Sequence, residues 1–339
     1  MEAPGEQFLM KMWDTLIDKG IGGLLEPYQI KRLSKARAEA KKDELLLIAK
    51  AEKQVELIKS GSDDSIYLLG TEKRVEPYIG ELSTIDICRK TETLEQIRKE
   101  VNVAKAIVVA EDELCDDKAP PNDDPLNDDW IYTWRDNAGK VSDEELQTLW
   151  GKVLAGEIKQ PGTFSVRTLE FLKCLSKEEA KVIETVSRFI LKGSIFWEHK
   201  DLILERSGLN FVDLLNLEEL NVLSGVAAGS LTTSCNSLET DRYIYVANSL
   251  NDRAVVLQCA DPNFIFKQRT SVLAATRLGH ELFKLGNFQV DETYLLAVAR
   301  SFKTKGVDKV FIASVVRVQD GIEFELPVEV APNQPNAIW

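Results

Sequence analysis

Residues 128–167 constrain this chain more than any other stretch. They hold three of its six tryptophans and the points at which two helices must start and stop. Ser142-Asp143-Glu144-Glu145 has the form of a capping box, in which the Ser142 hydroxyl accepts from the Glu145 N–H and the Glu145 carboxylate reaches back. Behind it Leu146, Leu149, Trp150, Val153 and Leu154 recur on one helical face. Pro161-Gly162 stops that helix, and Ser165 stands where it would cap a short one carrying Leu169 and Leu172. A second box, Ser176-Lys177-Glu178-Glu179, opens a helix with Ile183, Val186, Ile190 and Leu191 as its apolar positions. Helix starts this close together predict a small helical subdomain over 130–192, with Trp134 and Trp150 in its core.

Immediately before lies the acidic run 111–129, EDELCDDKAPPNDDPLNDD. It sets nine Asp or Glu against Lys118, and Pro120, Pro121 and Pro125 interrupt any helix. The alternating oxygen ligands and central glycine of a calcium loop are absent, so a solvated linker is expected. It separates a segment 1–110 from the subdomain 130–192.

The first segment is rich in helix formers. Residues 8–17 place Phe8, Leu9, Met12, Trp13, Leu16 and Ile17 on one face, ending at Gly20-Ile21-Gly22-Gly23. Such a face, with Trp13 at its centre, packs on the body, on a sister subunit, or, over residues 8–25, in a membrane interface. From Pro27 to about Ser60 no glycine follows, and Leu47, Ala51, Val55 and Ile58 form a narrow seam. Lys31, Arg32, Lys35, Arg37, Lys41 and Lys42 line its early turns; such a stripe contacts phosphates or is simply a solvated face. A further helix over 85–114 carries Leu94, Ile97, Val101, Ala104 and Val108 at heptad-like spacing. Two such helices predict a stalk that self-associates.

Residues 193–330 read as mixed. An amphipathic helix at 211–220 precedes strand-like runs at 243–247 and 254–258, then Thr276-Arg277-Leu278-Gly279 enters another helix. That order is winged-helix-like, but the helix before the hairpin carries Asp213, Glu218 and Glu219 and no cation, so protein contact is favoured over DNA. A helix over 292–302 and a hairpin of 310–318 with 322–330 around Asp320-Gly321 close the fold, leaving 331–339 as a tail. The expected class is therefore α+β, mainly helical: a long N-terminal helical stalk, a central helical subdomain, and a winged-helix-like α/β part with a terminal β-hairpin.

A net charge of −13 opposes general affinity for nucleic acid. Five scattered cysteines without a C-x-x-C pair, two histidines and no spanning apolar run predict a cytoplasmic protein with no metal site and no cofactor. No nucleophile elbow, phosphate loop or dinucleotide fingerprint occurs, so no catalytic residue is assigned and a non-enzymatic role is expected. Arg135, Glu157 and Arg167, around the Pro161-Gly162 turn, are the least explained charged residues and form a candidate site.

The run W-x-x-x-W-R-D-N-A-G-K-V-S-D-E-E-L-Q-x-L-W-G-K-V-L-A-G-E-x-x-x-P-G-T-F-S-x-R-T-L, from Trp130 to Leu169, resembles the core of a bacterial family known as domain of unknown function 2806. Glu26 to Arg32, E-P-Y-Q-I-K-R, resembles that family's N-terminal half. The resemblance implies no activity and no catalytic residues. The layout also distantly resembles abortive infection alpha proteins, which implies a setting in defence against phage. The expectation is a self-assembling interaction protein with a protein partner; nucleic-acid binding through the basic stripe and membrane association through residues 8–25 are the alternatives.

Overall fold

A computed structural model describes residues 4–23, 48–50, 53, 84–115, 117, 122, 124–234, 243–249, 253–259, 269–286, 288–303, 307–318 and 321–330. The seam of 27–60, the stripe from Lys31 to Lys42 and the tail 331–339 lie outside the described residues, apart from a few helical positions near Ile48. Two compact units divide at Cys174 and Leu175, so the acidic linker lies within the first.

The first unit is helical. It comprises α1 (Pro4–Asp18), α2 (Thr84–Cys115), α3 (Asp128–Ala138), α4 (Glu144–Lys159) and α5 (Val166–Cys174). Both ends of the acidic run are helical, because α2 continues to Cys115 and Asp128 already belongs to α3. Two of its carboxylates are tied to the helices: Asp117 pairs with Lys159 at 2.7 Å and Asp128 with Lys19 at 2.7 Å, while Lys11 donates to the Asn122 carbonyl.

α2 and α4 approach closely because Gly151 has no side chain. A Cβ there would stand 2.5 Å from Val109 Cβ and 2.7 Å from the Ala106 carbonyl. Gly151→Ala is therefore expected to cost about 1–3 kcal/mol by overpacking, read as a lowered thermal midpoint. An unshifted midpoint would mean that the two helices are further apart than described.

The C-terminal half of α2 is covered on several sides: Val101, Val103, Ala104, Ala106, Ile107, Ala110 and Leu114 are all buried. The heptad-like seam accounts for part of this face only; Leu94 and Ile97 are half-buried, and the residues between and before them back to Thr91 are exposed. α1 lies against α2 through Phe8, Met12, Trp13 and Leu16, and the Trp13 indole N–H donates to Glu111 at 2.5 Å.

The start of α4 differs by one residue from the capping box read in the sequence. Asp143, not Ser142, is the N-cap; its carboxylate accepts from Glu145 and Leu146 N–H at 3.1 and 3.2 Å. A carboxylate at a helix N-terminus meets both the orphan donors and the helix dipole. Ser142 is left for a tertiary bond, its hydroxyl accepting from Asn102 Nδ2 at 3.4 Å. The second box forms as read: Ser176 caps Glu179 N–H and the Glu179 carboxylate takes the Ser176 N–H.

The second unit holds α6 (Lys177–Ser187), β1 (Ser194–Phe196), a 3₁₀ turn at Trp197–His199, α7 (Lys200–Ser207), α8 (Phe211–Glu219), β2 (Leu223–Ser224), β3 (Leu231–Ser234), β4 (Tyr243–Asn248), β5 (Arg253–Cys259), β6 (Arg269–Ala275), α9 (Arg277–Phe283), α10 (Glu292–Lys303), β7 (Lys309–Val318) and β8 (Gly321–Glu329). They form two four-stranded antiparallel sheets. In one, β6 pairs with β1, β2 and β3; in the other the order is β4-β5-β7-β8. The two hairpins read in the sequence thus share one sheet, with Val255 opposite Ile312 joining them. α10 packs on β5 and β7, and Tyr294 and Phe302 meet Phe189 and Phe196 edge-to-face at 5.4 and 5.6 Å.

Candidate functional site

The Pro161-Gly162 turn is built around Glu157. Its side chain, 2 % exposed near the end of α4, accepts from Gly162 N–H at 2.6 Å and from Phe164 N–H at 2.9 Å. Gly162 adopts φ +83°, a conformation that disfavours any residue with a Cβ. The turn carries Phe164 over Gly156, and the Trp130 indole donates to the Phe164 carbonyl at 2.8 Å. The carboxylate is therefore a clamp on backbone donors.

The three charged residues of this site are not brought together. Arg135 turns to Glu100 on α2 at 2.7 Å, and Arg167 is exposed on α5. Trp134 and Trp150 are core residues, and the Trp134 indole donates to the Trp150 carbonyl at 3.0 Å. Trp13 is buried within its own unit. The positions from Lys31 to Lys42 lie outside the described residues.

Several polar residues that sequence reasoning passed over have defined roles. Asn102, buried in α2, donates to the Gly139 carbonyl at 2.9 Å and accepts from Gln147 at 3.0 Å; Gln147 also donates to the Val141 carbonyl. This amide pair satisfies the turn between α3 and α4, and no spacing in the sequence marks it because its members lie 45 positions apart. Asn137 donates to Glu170, which with Lys173 holds the Glu170 carboxyl below the usual carboxylate range.

In the second unit Glu218 accepts from Ala227, Gly225 and Val226 N–H at 2.6, 2.6 and 3.0 Å. These donors, Ala227 first, hold its carboxyl below the ordinary value against the opposing effect of burial. The helix that carries it begins with a reciprocal box of Asn210 and Asp213. Two of the acids on this helix, Asp213 and Glu218, therefore accept from main-chain donors of their own unit.

Asp291 caps α10. It is 3 % exposed, accepts from Tyr294 N–H at 2.9 Å and takes Arg206 Nε and Nη2 on Oδ2 at 3.0 and 2.9 Å, with Arg188 at 4.0 Å. An Asp three residues before an apolar helical position was the readable signal. Burial pushes its carboxyl up, but the Tyr294 N–H and the two arginines outweigh burial and hold it below the ordinary value. Tyr294, fully buried, has its phenol pushed up by desolvation while its oxygen accepts from Phe196 N–H at 2.8 Å.

Glu157, Glu218 and Asp291 share one chemistry: each accepts from backbone donors, and Asp291 from a guanidinium as well. Among the described residues no group of three or more His, Cys, Asp or Glu is placed to hold a metal ion, and no helix is long and apolar enough to cross a membrane.

The geometry defines a class: a mainly helical α+β protein with two small antiparallel sheets, whose interior acids act as caps and clamps. Residues 87–195, from α2 to β1, match the model of the family described as Protein of unknown function (DUF2806). No curated protein and no solved structure matches the chain.

Proposed function

We propose that this chain is a non-enzymatic interaction protein that self-assembles through its N-terminal helices, with its C-terminal unit contacting a protein partner. One observation carries the reading. α2 is about 48 Å long at 1.5 Å per residue, yet the described packing against α1, α3 and α4 engages it from Lys99 onward. The preceding turns carry Leu94 and Ile97 as a narrow apolar stripe between exposed Thr91, Glu92, Thr93, Glu95, Gln96 and Arg98. A stripe of this width suits a helix from another copy. The partner-contact role of the winged-helix-like part is supported by Phe211 and Val212, which are exposed at the start of α8. Defence against phage is the proposed setting, on the resemblance to abortive infection alpha proteins.

Light scattering on the full chain at micromolar concentration tests the assembly. The mass is expected to exceed that of a monomer and to fall at least twofold in the Leu94→Glu/Ile97→Glu variant, with far-UV circular dichroism retained. A monomeric parent, or a mass that the double substitution leaves unchanged, overturns the reading.

A further inference from the structure

The sheet β4-β5-β7-β8 has two unlike edges. β8, at one edge, contains Pro327, which has no N–H to donate, beside exposed Glu325 and Glu329. Edges guarded by proline and charge do not recruit further strands. β4, at the other edge, reads YIYVAN from Tyr243 to Asn248, with neither charge nor proline.

The position just beyond β4 shows which pairing the outer side accepts. Ser249 donates its N–H inward to the Arg253 carbonyl at 2.6 Å and bridges outward, in antiparallel sense, to Leu191. Lys192 and Gly193, at φ 48° and 70°, then turn the chain into β1, where Ser194 pairs with β6. Among the described residues no strand continues along Tyr243–Asn248. Backbone groups of an antiparallel strand alternate in direction. Because Ser249 points to the β5 side, residues 243, 245 and 247 do too, and Ile244 and Val246 present N–H and C=O outward.

We propose that β4 pairs with β4 of a second copy, antiparallel about a two-fold axis normal to the sheet, so that the two sheets become one. An axis in this direction keeps α10 on the same side in both copies and requires the register to be centred on a residue. Centring on Val246 would set Tyr243 opposite Ser249, where Leu191 already stands. Centring on Tyr245 sets Ile244 opposite Val246 and Tyr243 opposite Ala247, and stops short of Ser249. That register joins the outward groups of Ile244 and Val246 reciprocally through about four hydrogen bonds. An uncharged strand meets its own copy without like-charge pairs, and guarded β8 ends growth at a closed pair.

This surface is independent of the helical stripe, and the experiment separates the two. In the full chain, Tyr245→Cys sits opposite its own copy at a Cα separation of about 4.5 Å, within disulfide reach. Ile244→Cys is offset from its copy to about 8 Å, outside that reach. After mild oxidation, Tyr245→Cys is expected to give at least tenfold more crosslinked dimer on a non-reducing gel than Ile244→Cys or the parent with its own cysteines. Equal yields overturn the proposal. Sedimentation of Leu94→Glu/Ile97→Glu should leave a dimer that Val246→Lys converts to monomer. A monomer before Val246→Lys is added overturns the β4 pairing and leaves the helical reading standing; a dimer indifferent to Val246→Lys overturns it as well.

Discussion

Glu157→Ala is expected to destabilise the helical unit by about 3 kcal/mol, the loss of two charge-assisted hydrogen bonds that leaves a buried Phe164 N–H without its acceptor. At the entropy of unfolding of a domain this size, that is a fall of roughly 6–12 °C in thermal midpoint. Glu157→Gln retains one acceptor oxygen and should lose about half as much. The pair distinguishes a clamp from a reactive group, because a carboxylate reserved for chemistry is removed with little effect on the midpoint. Thermal melts of both variants followed by circular dichroism decide it; an alanine variant as stable as its parent removes the structural account of this turn.

The second large effect is a pH dependence at Asp291. Its folded-state carboxyl lies below its unfolded value, so its stabilisation is fully present above the ordinary carboxylate range and is lost as pH falls through the lower, folded value. Asp291→Asn keeps an acceptor for the Tyr294 N–H but removes the charge facing Arg206 and Arg188. Both arginines are about half exposed, so solvent screens part of the interaction. We expect a loss of about 1–2 kcal/mol at pH 7. The difference from the parent should close as pH is lowered from 7 to below the ordinary carboxylate range. Urea midpoints across that range measure it, and a difference that stays constant with pH would show that Arg206 and Asp291 are not coupled.

Both residues show why the candidate site was only partly legible. Glu157 stood out in the sequence because no cap or seam explained it. Its true partners are main-chain groups five and seven residues on, which carry no side-chain signature. The neighbouring arginines suggested an ion pair, yet Arg135 finds Glu100 on another helix, 35 positions away. The Ser142 cap was displaced by one residue for a similar reason: Asn102 claims the hydroxyl, and Asp143 supplies the stronger acceptor.

Local interactions were readable in this chain. The Ser176–Glu179 box, the helix ending near Leu114, the apolar face of α1 and the terminal hairpin each depend on residues within a few positions of one another, where residue type alone sets the outcome. The sheet around β6 was not readable. Its partners β1, β2 and β3 are two to four residues long and pair across tens of positions, and strands so short have no periodicity to betray them. Only tertiary packing decided the charged partners that come from distant elements, Arg206 for Asp291 and Glu100 for Arg135, because a charge withdrawn from water settles on whichever partner the packed core brings within reach.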